Sequence, residues 1–566
     1  MVTTLYLIHH SHTDVGYTDI QSLVVRRQVD FIRQVLRAVE ATAPLAGEHF
    51  DGFRWTCETF WAVERFLEEA SSVESDAFAR AVREGDIGLS GSYLNLNELV
   101  DYESLLRLFG RAAEYGGSVG AVVDSAMTAD VNGYSWGFAQ AMLQNGIRNL
   151  LTCIHTHHGM FPLGRQQTPF WWESHRGERV LVWSGEHYHF GNELGIAPAA
   201  VSSYLTKDEC DARMIFGDHW AVAELRIPRY LSLLESADYP YDFAPIAVSG
   251  LRSDNAPPSP AIAGFVSRWN REHGDLCRMK MSTLSGFFRV VRSASVELPV
   301  HRGDWPDWWS DGPAGNPVST ALFRNAQRCL RRYRSLRARY PWIPARGTEA
   351  AENNLALYAE HTFGHANSMS EPWHPIVHAV AETKRAYAAM AHDEVRGLLD
   401  EALSAMGASG LEPGLGLTFR AVNPLDRAVR GLAVMQIGHH EFNELGLDAA
   451  AGVIDPARDE AIPCQLRHTP TGEEFCVHLE LQPGEERALE LRPGGSSRRP
   501  PCPASESRRE RPCLASESRA DAGPRNPRQD MIGTPFVEIV WEQGAGIVSW
   551  YDRVHGRELL RSDRRH

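Results

Sequence analysis

The sequence predicts an α/β fold: a barrel-like parallel β/α N-terminal domain, then a helical bundle, then a C-terminal β-sandwich. Three observations predict it. Over roughly the first 270 residues, short β-rich runs alternate with amphipathic helical patterns, the signature of parallel strands joined by helices. From about Ala321 to Met406 the texture becomes helical throughout, and beyond Pro413 it breaks into short alternating runs.

The elements follow in order. Thr4 to Ile8 is the first strand-like run, and Val25, Val29, Ile32, Leu36 and Val39 then recur at helical spacing. Phe53 to Cys57 is the next strand, with a helix over Trp61 to Ala70. Ile87 to Leu94 is a third, followed by a helical Leu105 to Tyr115. Ala121 to Met127 leads into TADVNGYSWGFAQAMLQNGI, whose helix ends at Asn145-Gly146 before a strand over Asn149 to Ile154. Thr168 to Trp172 and Val180 to Trp183 flank ESHRGE and read as a hairpin. In such a parallel arrangement ligands gather at the carboxyl ends of the strands.

Three later helices are centred on Leu322 to Leu336, Glu352 to Glu360 and Ile376 to Leu403. LGLTFRAVN, GLAVMQIG, EEFCVHLELQ and RALELRP supply the sandwich strands, and Phe536 to Trp541 resumes strand character. Between them lies a low-complexity stretch in which PCPASESR at Pro501 recurs as PCLASESR at Pro512. It is expected to be a disordered insertion. The domain expectation is therefore 1–290, 291–410 and 411–566, with the insertion at 494–530 and a last domain that reads as truncated.

Composition narrows the function. With 43% hydrophobic and 23% charged residues, the 566-residue chain is ordinary globular protein. A net charge of −15 argues against nucleic acid as a partner. No run of 18 apolar residues appears, so no membrane span is expected, and MVTTLYLIHH does not read as a secretory signal. Nine scattered cysteines without CxxC spacing point to a reduced, cytoplasmic protein. Self-association as a homo-oligomer stays open.

The chemistry is concentrated where the first strand empties into HHSHTD. On an extended chain, residues two apart share a face, so His10, His12 and Asp14 can converge. Imidazole and carboxylate together suit zinc or another divalent cation. The bland alternative is a hydrogen-bonded loop. Asp130 follows a strand and precedes the helix from Tyr134, so on the residues alone it reads as a helix N-cap. Asp254, in APIAVSGLRSDNAPP, reads alone as a turn former.

HSHTDVGYT resembles the HSHNDPGW-type signature of glycoside hydrolase family 38, the retaining α-mannosidases. TADVNGYSWGF is similar to the family segment that carries its nucleophilic aspartate, and AEHTFGH to the segment with its last metal-binding histidine. The resemblance covers about residues 3 to 400, and the family's long C-terminal part is mostly missing. It implies zinc on His12, Asp14, Asp130 and His361, with Asp130 both ligand and nucleophile. His10 is then a substrate neighbour or a support behind the ligands. A retaining glycosidase needs a second carboxyl about 5 Å from the nucleophile, and Asp254 lies closest to the family's position for it. Tyr17, Trp136, His155 and Trp309 are the expected substrate-binding residues. EHYHFGNE is another polar strand exit that would line the pocket.

Two departures bear on specificity. The family's Gly-Asp-Asp pattern is altered here to Ser253-Asp254, with two residues between the glycine and the serine. Where family members often carry an arginine, this strand exits into CIHTHHG. The resulting expectation is a metal-dependent retaining glycosidase acting on α-mannosides or related α-glycosides, with a carbohydrate as partner. The alternatives are a metal-dependent deacetylase or amidohydrolase acting on carbohydrate, and an inactive carbohydrate-binding relative.

Overall fold

The structure, a computed structural model, describes residues 2–131, 133–153, 163–164, 166–197, 210, 217–294, 297–305, 309–407, 417–448, 451–493, 529–542 and 546–560. The chain divides into two compact units, Met1–Ala408 and Ser409–His566.

In the first unit, strand β1 (Thr4–His12) is longer than its apolar run because the histidines continue the ladder. It lies between β8 (Phe243–Asp254) and β9 (Arg278–Met281), parallel to both. Leu5, Leu7 and Ile8 are fully buried. The β1–β8 register runs from Thr4 opposite Phe243 to His10 opposite Ser249, then shifts so that His12 faces Asp254. The extra β8 residues bulge out at Gly250, whose φ is +47°. A Cβ there would meet Ala256 O at 2.5 Å, so only glycine fits the turn that brings Asp254 beside His12.

A second ladder joins β4 (Ser125–Ala129), β5 (Asn149–Cys153) and β7 (Arg179–Gly185), all parallel. Strand β6 (Thr168–Glu173) is antiparallel to β7, as the hairpin reading requires, and β10 (Val300–Arg302) pairs with β6. Strands β2 (Trp55–Cys57) and β3 (Ile87–Leu89) form a parallel pair. Ile8, Met127, Leu151, Leu181 and Ala247 meet in one apolar cluster, so side chains of both larger ladders point into a common interior. Hydrogen bonds among the described residues group the strands into separate ladders and do not draw a closed ring.

Helices Pro317–Arg339, Glu349–Ala359 and Pro375–Met406 follow. Their buried faces, including Phe323, Leu330, Leu355 and Val395, belong to the same core as Leu5 and Val29. The change of texture near residue 290 is therefore not a break in the core of this unit.

The second unit is antiparallel. Leu417–Val422, Glu486–Arg492, Gly452–Asp455 and Glu460–Ile462 form one ladder, and Val429–Ile437, Gly472–Leu481 and Cys464–Thr469 another. Met435, Phe475 and Val477 of one ladder share a core with Val453, Leu489 and Leu491 of the other. A further ladder runs from Gln529–Gly533 to Arg557–Glu558. The low-complexity insertion lies outside the described residues, apart from its last two.

Candidate active site

The histidines at the end of β1 are sorted by the pleat. His9 points away, edge-on to Trp55 at 4.8 Å between ring centroids. Its Nδ1 bonds the Val248 carbonyl and its Nε2 accepts from Ser259 N–H, so the ring is neutral, and burial pushes its pKa down to about 3. His10 and His12 share the other face, where both reach Glu58, at 2.6 and 3.1 Å. His10 is fully buried, with its second nitrogen on the Tyr188 carbonyl at 3.0 Å. Both of its nitrogens thus face protein groups, Glu58 and the Tyr188 carbonyl.

His12, Asp14, Asp130 and His361, all buried, bring one ligand-type atom each within 4.8 Å of one another. His12 Nε2 and His361 Nε2 lie 3.2 and 3.1 Å from the same oxygen, Asp14 Oδ1. Asp130 Oδ2 is 3.7 and 3.8 Å from those two nitrogens. Neither Nε2 makes an aligned hydrogen bond, although both are buried. Two imidazole nitrogens and two carboxylates aimed at one point, with the nitrogens otherwise unsatisfied, fit a divalent cation of the zinc type. Burial opposes the charged form of each imidazole, but the carboxylates around them hold both pKa values well above the usual range. Asp14 is pulled down to about 2, against burial, by His12 and His361.

Behind the ligands stand groups that no sequence pattern marked. Glu58, just past β2, bonds His12 Nδ1, and Glu360 lies 2.9 Å from His361 Nδ1; carboxylates in this position orient metal-binding imidazoles. Lys384 reaches Glu360 Oε2 at 3.0 Å and also donates to the carbonyls of Leu357 and Glu360. Asn95 ties the segments together. Its amide donates to Glu58, its side-chain oxygen accepts from Ala129 N–H, and its carbonyl accepts from His361 N–H.

Backbone strain collects here. Tyr17, Asp130 and Asn255 all have positive φ, at 55°, 65° and 45°. The left-handed region is tolerated by Asp and Asn but is uncommon for a tyrosine. Asn255 holds its turn by donating to Asp14 O and Thr18 Oγ1, while its oxygen accepts from Gln28.

Asp254 ends β8 half-buried beside His12. Its Oδ1 accepts from Tyr188 Oη at 2.6 Å and from Ser253 Oγ at 2.8 Å. Burial and the charge of Asp14 raise its pKa, with a smaller contribution from Asp130, while His12 and the Tyr188 hydrogen bond oppose. The Tyr188 ring stacks on His12, 4.0 Å between centroids. The EHYHFGNE segment is indeed buried against the site. His187 Nε2 lies 3.9 Å from Asp130 Oδ1, and His187, His189 and Glu193 form a second buried group of ligand-type atoms. Burial pushes Glu186, which accepts from Tyr230 Oη, up to about 7.

The other expected substrate residues separate. Tyr17 is 39% exposed and bridges to His365, whereas Trp309 donates to the carbonyl of His361 at 3.0 Å and so borders the ligand set. Trp136 does not join it. Its indole donates to Glu173 O, at the end of β6 that lies opposite the start of β7, whereas Asp130 stands past the finishing end of the parallel strands. His155 lies outside the described residues.

Comparison with known proteins agrees with this frame. Residues 2–311 match the model of the glycosyl hydrolases family 38 N-terminal domain. No curated protein sequence matches. Among solved structures, an alpha-mannosidase from Enterococcus faecalis V583 is similar with a TM-score of 0.64 at 13% identity, over 98% of this chain and 61% of that one. A glycosyl hydrolase family 38 protein from Enterococcus faecalis aligns at 0.57 and 14%, over 99% and 60%. The chain thus spans about three fifths of the length of either structure, and at such identities the likeness is one of fold. The family match covers more than half of the sequence and includes the strand end with His12 and Asp14, the turn with Asp130 and the bulged end of β8; the chain belongs to glycoside hydrolase family 38.

Proposed function

We propose that the chain is a metal-dependent retaining glycosidase that cleaves α-mannosides or related α-glycosides. One observation carries the reading: Asp130 borders a cation-type ligand set while a second carboxyl, Asp254, with a raised pKa, closes the neighbouring strand end. Retaining hydrolysis needs such a pair, one carboxylate ionised and one protonated.

His12, Asp14, Asp130 and His361 would hold the cation, with zinc the best match to the donors. Bound there, it would supply a positive charge to which sugar hydroxyls can bind. Asp130 then attacks the anomeric carbon and Asp254 gives its proton to the departing oxygen. In the second half, Asp254 takes a proton from the water that releases the sugar. Tyr17 and Trp309 offer rings for the sugar's apolar face.

The same reading takes the first unit as barrel-like, supported by the common interior of its ladders, and the shared core of the second as a sandwich. It keeps the division near residue 410 and takes residues 291–410 as a helical part built onto the same core. Cys57, Cys153, Cys277, Cys329 and Cys476 are free thiols, which supports a reducing, cytoplasmic setting. Among the described residues no helix is long and apolar enough to cross a membrane.

The test is a panel of aryl α- and β-glycosides assayed with zinc, with cobalt and with chelator, followed by NMR of the first sugar released. Retention, loss of turnover with chelator and trapping of Asp130 by a fluorinated glycoside are expected. Initial release of the inverted anomer would remove Asp130 as nucleophile. Deacetylation without any glycosyl adduct would favour the deacetylase alternative.

A further inference from the structure

Asp254 is the last member of a row of polar groups that runs back into the protein. Ser253 Oγ, which donates to Asp254 Oδ1, lies 2.9 Å from His189 Nδ1. His189 Nε2 is in turn 3.2 Å from Glu193 Oε1. Glu193 is fully buried and His189 nearly so. The pair sits on the short helical turn Phe190–Glu193 and the residue before it. Asn192 of that turn fastens it to β8, donating to the Ser249 and Gly250 carbonyls and accepting from Ser249 N–H.

The protons in this row can be counted. Ser253 has a single hydroxyl proton, and the hydrogen bond to Asp254 uses it. The oxygen must then accept from His189, which fixes a hydrogen on Nδ1. On the far side, Nε2 faces the buried Glu193 carboxylate at 3.2 Å, close enough for the carboxylate's charge to act on the ring although the two atoms are not aligned as a hydrogen bond. With that hydrogen on Nδ1, the imidazole and the Ser253 hydroxyl both donate toward Asp254. With Tyr188 donating to the same Oδ1, that oxygen is committed as an acceptor in both protonation states. The exchangeable proton is left to Oδ2.

We propose that His189 and Glu193 are positioning residues for the acid: by fixing the direction of the Ser253 hydroxyl they reserve Oδ1 of Asp254 as an acceptor and make Oδ2 the oxygen that gives and takes the proton. This rests on the reading of Asp254 as acid/base. A cluster that serves only to pack the β8 end would affect every substrate alike. A cluster that aims the proton affects only substrates whose leaving group needs one.

The experiment compares kcat/KM across aryl α-mannosides of graded leaving-group acidity for wild type, Asp254→Asn, Ser253→Ala, Ser253→Thr, Glu193→Gln and His189→Gln, with the full chain loaded with zinc. Ser253→Ala, Glu193→Gln and His189→Gln should each lose about tenfold on the poorest leaving group, the worth of one well-placed hydrogen bond. On a dinitrophenyl substrate the loss should be about twofold at most, since protonation adds little there. Ser253→Thr keeps the hydroxyl and should recover most of the loss. His189→Gln carries the test of the pair if Glu193→Gln does not fold. Equal losses on good and poor leaving groups in these variants, while Asp254→Asn shows the graded pattern, would overturn the positioning role alone. If Asp254→Asn itself shows no gradation, or wild type hydrolyses no member of the series, the reading beneath it fails and the inference goes with it.

Discussion

His12 and His361 approach one carboxylate oxygen from unlike surroundings. His12 leaves a buried strand, and its supporting carboxylate, Glu58, is shared among His10, His12, Asn95 and the Thr13 N–H. His361 follows the helix Glu349–Ala359, and its support, Glu360, meets the ammonium of Lys384 and the hydroxyl of Thr362. Burial would raise both supporting carboxyls, and nearby positive groups bring both below the usual range instead. The sources of that charge differ. Glu360 has a lysine of its own, whereas Glu58 depends on imidazoles that are positive only when protonated. The strand side of the site should therefore follow the state of its ligands, and the helix side should hold whether or not a cation is bound.

The largest effect should come from the group that both sides share. Asp130→Asn removes the proposed nucleophile and one ligand charge, so turnover should fall on the order of a thousandfold or more even with a good leaving group. Activity within tenfold of wild type would separate Asp130 from the chemistry. Next, Lys384→Met should leave Glu360 buried without its cation and lower stability by about 3–5 kcal/mol, read from urea unfolding. Glu58→Gln should act elsewhere, weakening cation affinity ~10–100-fold in a competition titration with a smaller loss of stability. Equal stability losses for the two variants would erase the distinction between the sides.

The smallest effect concerns pH. In the chelated protein the folded pKa values of His12 and His361 are raised above the unfolded value of about 6.5. Their contribution to stability is then complete below about pH 6.5 and is lost as pH rises through the folded values. A bound cation takes the place of those protons, so the zinc-loaded protein should not show this alkaline loss. Melting curves between about pH 6 and 9 with and without zinc check it, and parallel pH profiles would contradict it.

What the sequence revealed follows from how each group is encoded. His12, Asp14, Asp130 and His361 stand in short motifs right after strands or a helix, and the structure brings the four together. The strand and helix order of the first unit was likewise readable, because buried strands and amphipathic helices repeat with fixed periods. Glu58, Asn95, Lys384 and Asn255 were not, since each is one polar residue whose partner lies elsewhere along the chain, and Glu360, beside His361, carries no pattern of its own. Trp136 shows the reverse error. It is close to Asp130 in sequence, but the chain turns back along the sheet and carries its indole to Glu173. Strand β9 escaped notice because Arg278 to Met281 alternates charge and methionine over only four residues.

The distance along the chain between Asp14 and His361 also sets a timetable. At ribosomal speeds of about 5–20 residues per second, tens of seconds pass between the synthesis of the first ligands and the last. During that interval His12 and Asp14 form only half a chelate, too weak to select a metal. On the proposed metal reading the nascent chain would therefore fold around protons. In the proposed metalloenzyme the cation would enter as a late exchange partner, after the segment with His361 is made, so that the supply of metal would govern maturation of the finished fold and not its formation.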